Sequence, residues 1–261
     1  MKQRNQRRER PKETKEQGEA RAAERTIAEI AWVPKTEIGK KVKTKEITEI
    51  EDMLSTGSPL LEQEIVDILM PGLENDLLMI GQSKGKFGGG QGRVFRQTQK
   101  KTKEGNKPNF ATLCVVGNKD GIIGLGYGKA KETVPAREKA IRKAKLNVFK
   151  IKRGCGSWQC GCGTAHSIPF KVYGKCGSCQ VTLFPAPKGT GLVVDREIAK
   201  VLTMAGIKDV WSKTLGQQKS KINLIKATEE ALKALTTTKI MDHHNAKLSI
   251  VDGRKQKKTE A

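Results

Sequence analysis

Five cysteines crowd one stretch of the chain. Cys155, Cys160, Cys162, Cys176 and Cys179 follow the spacing C-x4-C-x-C-x13-C-x2-C, while Cys114 stands apart in an apolar run. Clustered thiols can form disulfides, hold a metal or cycle as a redox pair. Four thiolates in a tetrahedron are a structural zinc arrangement, and C-x2-C beside a second close thiol pair has the spacing for it. Spacing alone favours Cys176 and Cys179 with two of Cys155, Cys160 and Cys162. The glycines of GCGSWQCGCG (154–163) would leave a loose linker, and a metal there would fix the segments on either side of it. Reduced, unligated thiols and a redox switch built on C-x2-C are the competing readings.

The elements that must position these thiols belong to a strongly basic chain. Its 261 residues carry 50 Lys+Arg against 28 Asp+Glu, a net charge of +22. Such a charge calls for a polyanionic partner, nucleic acid before an anionic membrane. No apolar run reaches the ~20 residues of a membrane span. The N-terminal stretch MKQRNQRRERPKETKEQGEA lacks the apolar core of a secretory signal. The expectation is a cytosolic protein with reduced thiols, which disfavours a disulfide framework.

Residues 1 to about 25 are dense in charge and read as a solvated or RNA-bound arm, with a short amphipathic patch around Ile27, Ile30 and Trp32 after it. SPLLEQEIVDILMPG (58–72) predicts a helix capped by Ser58, with an apolar stripe of Leu61, Ile65, Ile68 and Leu69 and a stop at Pro71 and Gly72. DLLMIGQ (76–82) predicts a strand. Residues 111–129 predict a hairpin around GNKDG with Cys114 in its core. Residues 129–148 predict a helix with Val134, Ile141, Ala144 and Val148 on one face. Past the cysteines come a strand pair (166–174, 180–187), a helix (195–206) ending at Gly206, a strand (207–216) and an amphipathic helix (222–237) through Leu224, Ala227, Ala231 and Leu235. From about 238 the periodicity fades and the chain reads as polar tail. The sum is two α+β units.

Nucleotide and KH motifs fail on inspection. GIIGLGYGK (121–129) has Ile123 and Ala130 where a P-loop needs Gly and Ser or Thr. GKFG (85–88) follows a predicted strand, whereas a KH loop joins helices. What remains is a glycine-rich basic stretch (84–101) suited to close approach to a phosphodiester backbone. No DNA-binding motif is present. Aromatics are 4% of residues, so base stacking is not the expected main mode, and backbone and shape recognition of folded RNA fits better. His166 has no evident catalytic partner in sequence, and no nucleophile–base pair is recognisable, so an enzyme is not expected.

KGKFGGGQGRVFRQTQ, GLGYGKAKETVPAREKAIRKAK, GTAHSIPFKVYGKCGS, LFPAPKGTGLV and AGIKDVWSKTLGQQKSKINLIKATEEAL, in that order, resemble the ribosomal protein S5 (uS5) family over residues 60–235. The cysteine-rich insert resembles its archaeal form. The resemblance implies a double-stranded-RNA-binding-like domain (58–150), a cysteine-rich linker (151–165) and an S5 C-terminal domain (166–237) with a left-handed crossover. A basic extension (1–57) and a polar tail (238–261) flank them as disordered arms. It implies a cytoplasmic place in the small ribosomal subunit, on rRNA beside proteins S4 and S8, where the mRNA enters. It implies a part in decoding accuracy, and no membrane or small-molecule substrate. A free RNA chaperone or translation factor is the alternative. Lys84, Lys86, Arg93 and Arg96 would neutralise rRNA phosphates, with Gly88, Gly89 and Gly90 permitting close approach. Lys129, Lys131, Arg137, Arg142 and Arg153 would contact rRNA or a neighbouring protein. The resemblance also favours zinc on Cys155, Cys160, Cys162 and Cys176, with Cys179 the alternate ligand. His166 lies in a stretch shared with cysteine-free members and is not counted as a ligand.

Overall fold

The computed structural model describes residues 32–82 and 92–254. The charged arm before residue 32 lies outside them. So do Lys84, Lys86, Gly88, Gly89 and Gly90.

Three short helices, α1 (Glu37–Lys43), α2 (Ile50–Thr56) and α3 (Gln63–Leu69), precede strand β1 (Glu74–Leu78). They bury Val42, Ile50, Met53, Ile65 and Val66 against Ile122 and Val148 of the first sheet. The predicted helix over 58–72 therefore begins later, and Ser58 does not cap it. The extended run before it carries Leu60 into the core, leaves Leu61 exposed, and turns the Glu62 carboxylate toward residues 32–36. That carboxylate accepts from Trp32 Nε1 at 2.9 Å, Lys35 N at 3.0 Å and Thr36 N at 2.7 Å.

The first sheet adds β2 (Arg96–Thr102), β3 (Gly105–Gly117), β4 (Ile122–Ala130) and β5 (Val148–Lys150). Its order is β1-β3-β4-β5, with β2 on the outer half of β3. The polar, glycine-bounded sequence of β2 hid it as a strand. The β3–β4 hairpin and buried Cys114 agree with expectation. Burial pushes the Cys114 thiol up to about 12, which marks a packing sulfur.

Helix α4 (Thr133–Leu146) crosses this sheet on a stripe of Ala136, Ala140 and Ala144; of the predicted face, Ala144 is buried and Ile141 partly buried, Val148 is buried in β5, and Val134 is exposed. The reason for the alanine stripe lies in β4. A Cβ on Gly124, Gly126 or Gly128 would meet α4 backbone at 2.2 Å. Glycine on the strand and alanine on the helix let the two backbones touch. The glycines of GIIGLGYGK thus serve packing.

The second sheet, in the order β7-β8-β10-β9, is formed by β7 (Val172–Cys176), β8 (Cys179–Pro185), β9 (Leu192–Val193) and β10 (Val210–Leu215). Helix α5 (Arg196–Ala205) joins β9 to the parallel β10. Asp195 caps its start and left-handed Gly206 its end. Helix α6 (Lys221–Thr237) packs over Gly174 through Ala227 and Ala231.

The two units share one core. Leu113, Val115, Ile123 and Leu125 of the first sheet join Ile198, Val201 and Leu202 of α5 and Val181 and Leu183 of β8 in a single apolar cluster. Buried Glu197 accepts from Met79 N at 2.7 Å across the joint. Residues 238–254 are not a free tail. Helix α7 (Asp242–Lys247) leads to β11 (Val251–Asp252), which pairs with β6 (Lys152–Arg153).

Candidate metal centre and nucleic-acid interface

The cysteine–histidine cluster is built by a pinched loop. Gly154 and Ser167 exchange backbone hydrogen bonds at 3.0 and 2.9 Å, and Gly156 N donates to Ile168 O. Gly156 is required there, because a Cβ would stand 2.0 Å from Pro169 O. This pairing closes residues 155–166 into a loop and puts His166 at its base, facing the thiols. Cys155, Cys160, Cys162 and His166 each offer one ligand atom, all within 4.8 Å of one another. Tetrahedral zinc with Zn–S near 2.3 Å sets its ligand atoms roughly 3.5–3.8 Å apart, and Cys160 Sγ to His166 Nε2 is 3.7 Å. The donor set and spacing fit a metal ion.

The imidazole is fixed from behind. His166 Nδ1 lies 2.7 Å from Asp209 Oδ2, and both side chains are buried. The other Asp209 oxygen accepts from Gly189 N at 3.1 Å and Gly191 N at 2.8 Å. With Nδ1–H donated to the carboxylate, Nε2 presents its lone pair to the cysteine side, as second-shell carboxylates arrange in metal sites. The thiols are unequal. Burial, then the neighbouring thiols, push Cys155 up to about 11. The Thr164 hydroxyl, 3.2 Å from the sulfur, holds Cys162 down at about 6.

Three expected ligands therefore converge, and the fourth place goes to His166. Cys176 is not part of the cluster. It faces Cys179 across the β7–β8 turn, and Cys179 donates to Gln217 O at 2.8 Å. Linear spacing favoured the C-x2-C pair, but that pair closes a hairpin of its own. A hydrogen-bonded Asp–His pair 43 residues apart in sequence leaves no local signal.

The basic residues divide by burial. The β2–β3 hairpin projects beyond the sheet, with β2 exposed along nearly its whole length and residues 105–108 of β3 exposed opposite it. It carries Arg96, Lys100, Lys101, Lys103 and Lys107 against the single acid Glu104, which pairs Lys107 at 2.8 Å. Arg93 and Arg96 line a cleft of about 980 Å³ whose other wall includes Lys219, Ser220 and Lys221. Lys129, Lys131, Arg137 and Arg142 are exposed on β4, its following turn and α4. Arg153 is a correction. Its guanidinium is buried, pairs Asp120 at 2.5 Å and donates to Gly253 O at 3.1 Å. It fastens the hairpin turn to the C-terminal segment and presents nothing to RNA.

Two family models match in sequence order. "Ribosomal protein S5, N-terminal domain" matches residues 94–152 and "Ribosomal protein S5, C-terminal domain" matches residues 174–245. A protein of Methanocaldococcus jannaschii named small ribosomal subunit protein uS5 is 48% identical over 223 residues, 85% of this chain and 96% of that protein. The chain belongs to the uS5 family. Its namesake in Nanoarchaeum equitans is 47% identical over 209 residues, 80% of this chain and 90% of that one. That of Methanococcus maripaludis is 42% identical over 236 residues, 90% and 98% of the two chains. The uS5 proteins are ribosomal proteins, not enzymes. The cluster of Cys155, Cys160, Cys162 and His166 falls between the two matched spans. No helix among the described residues is long and apolar enough to cross a membrane.

Proposed function

We propose that this uS5-family chain is a structural constituent of the cytoplasmic small ribosomal subunit that binds rRNA through its basic hairpin and the β4–α4 surface. It sits beside proteins S4 and S8 where the mRNA enters, and its 84–96 loop contributes to decoding accuracy. The observation that carries the reading is the match to small-subunit uS5 proteins at 48% identity across both units. An exposed hairpin nearly free of acids supports it, since lysine and arginine that release counterions from phosphates dominate such binding.

The cluster holds one zinc ion on Cys155, Cys160 and Cys162 thiolates and His166 Nε2. A closed four-ligand site has no open position for chemistry. Zinc supplies a cross-link there, ordering a glycine-rich loop that apolar packing alone cannot hold.

Charge reversal tests the RNA reading. R93E/R96E lowers co-sedimentation with the small subunit after a high-salt wash and raises misreading, and unchanged values for both overturn it. A chain that leaves the subunit in that wash without any substitution is a free RNA-binding factor instead. Metal analysis tests the zinc. One zinc per chain is expected, with Cys114, Cys176 and Cys179 left as thiols.

A further inference from the structure

The second sheet has two unlike faces. Val172, Gly174, Val181, Leu183 and Val210 point inward, buried beneath α5 and α6. The alternating residues point outward, and no described element covers them. Trp211 is 36% exposed and Tyr173 is 50% exposed, and Phe184 lies half-buried between their strands. The register places Trp211 opposite Phe184 on β8, and Tyr173 opposite Thr182 with Lys213 on that residue's other side. Cross-strand neighbours stand about 5 Å apart and diagonal ones about 7–8 Å, so the three aromatic residues share one face of the sheet, with lysines set among them. Lys171 Nζ lies 5.1 Å from the Phe184 ring centroid.

Charge decides the kind of partner. Residues 171–194 and 210–221 contain no Asp or Glu. Lys171, Lys175 and Lys213 thus make this face positive, with no acidic residue in the segments that carry them. Protein interfaces also gather aromatic side chains at their centres, but those centres are depleted of lysine, whereas Lys171, Lys175 and Lys213 stand among the aromatic residues of this face. Flat rings for base faces and ammonium groups for phosphates are the two components of a single-strand nucleic-acid surface. Low aromatic content argued against stacking for the chain as a whole, but folding gathers one of its two tyrosines and one of its three tryptophans here.

We propose that the outward face of this sheet is a stacking platform for unpaired bases of small-subunit rRNA. Trp211 and Tyr173 stack on bases, and Lys171, Lys175 and Lys213 neutralise the backbone between them. The proposal rests on the rRNA-binding reading above, and it adds to it a second surface with a different mode of recognition.

The experiment measures binding of the full chain to a labelled single-stranded RNA oligonucleotide and to an RNA duplex. Salt is held at about 0.3 M, where purely electrostatic binding has largely collapsed. Trp211→Ala with Tyr173→Ala is expected to weaken the single strand roughly 10- to 100-fold and leave the duplex within about twofold. Trp211→Phe, which keeps a ring, retains most of the affinity and guards against a folding artefact. Equal loss for both RNAs, or none for either, overturns the proposal. In assembled subunits, short-wavelength ultraviolet light should join Trp211 or Tyr173 peptides to rRNA nucleotides. Cross-links to mRNA alone, or incorporation lost with oligonucleotide affinity intact, assign the face to another occupant and overturn it. Failure of R93E/R96E to affect subunit association would instead strike the rRNA-binding reading, so the two failures are distinguishable.

Discussion

His166 Nδ1 and Asp209 Oδ2 lie 2.7 Å apart, buried together at the joint between the cysteine loop and the turn before β10. The pair links the cysteine–histidine cluster to the backbone of residues 189–191, since the same carboxylate accepts from Gly189 and Gly191. Zinc bound by His166 would therefore couple the linker to the second sheet through one carboxylate.

Asp209→Asn tests that coupling. Outer-shell partners of ligating histidines set affinity by about 10- to 100-fold, so zinc is expected to bind weaker by that factor in a chelator competition. Cys160→Ser should abolish stoichiometric zinc, while Cys176→Ser and Cys179→Ser retain it. Loss of zinc in either of the last two would return the ligand set to the C-x2-C pair.

Gly126→Ala probes the contact between β4 and α4. A Cβ at 126 would stand 2.2 Å from both Ala140 O and Ala144 N. Backbone atoms cannot swing aside, so strand and helix must separate. The expected loss is about 1–3 kcal/mol, read from the midpoint of denaturant unfolding. Gly161→Ala, where nothing lies within 4 Å of the added carbon, should leave that midpoint nearly unchanged.

Arg153 and Lys129 separate stability from RNA binding. Arg153→Ala leaves Asp120 and Gly253 O without their guanidinium partner. Because Asp120 is part-exposed, the cost should fall below the 3–5 kcal/mol of a fully buried pair, at about 1–3 kcal/mol. Lys129→Glu, on an exposed side chain, should leave melting unchanged and lower rRNA affinity with a shallower salt dependence. The opposite pattern would restore Arg153 as an RNA contact.

Glu62 makes the docking of residues 32–36 sensitive to acid. Partial burial works against its ionisation, but hydrogen bonds from Thr36, Lys35 and Trp32 outweigh it and hold the carboxyl below 4.5. A lowered folded value means that the stabilisation is complete above 4.5 and fades as pH falls through that lower value. With Trp158 and Trp211 replaced by Phe, fluorescence of Trp32 should report release of the segment below pH 4.5. In Glu62→Gln the same signal should be weakened at neutral pH and flat across that range.

Much of the second unit was legible in sequence. Helix α5 carries its own caps at Asp195 and Gly206 and helix α6 its own apolar period, whereas the strand expected over 166–174 begins only at Val172. Strand β2 was not legible, because nothing buries its side chains; it is held by backbone pairing to β3. The order along residues 238–254 was equally hidden, since it comes from pairing with β6 and the bond from Cys155 N to Leu248 O.

By itself, the sequence determined the charge, the turns, the periodic helices and the presence of a thiol cluster of metal-binding type. These are local properties, set by composition and by neighbours a few residues away. Tertiary structure alone decided that His166 completes the cluster, that Arg153 is a buried fastener and that Trp211 and Tyr173 share a face. Each depends on segments far apart in the chain being brought within a few ångströms. Residue types cannot announce such meetings, because the same histidine, arginine or tryptophan would read identically in a chain folded another way.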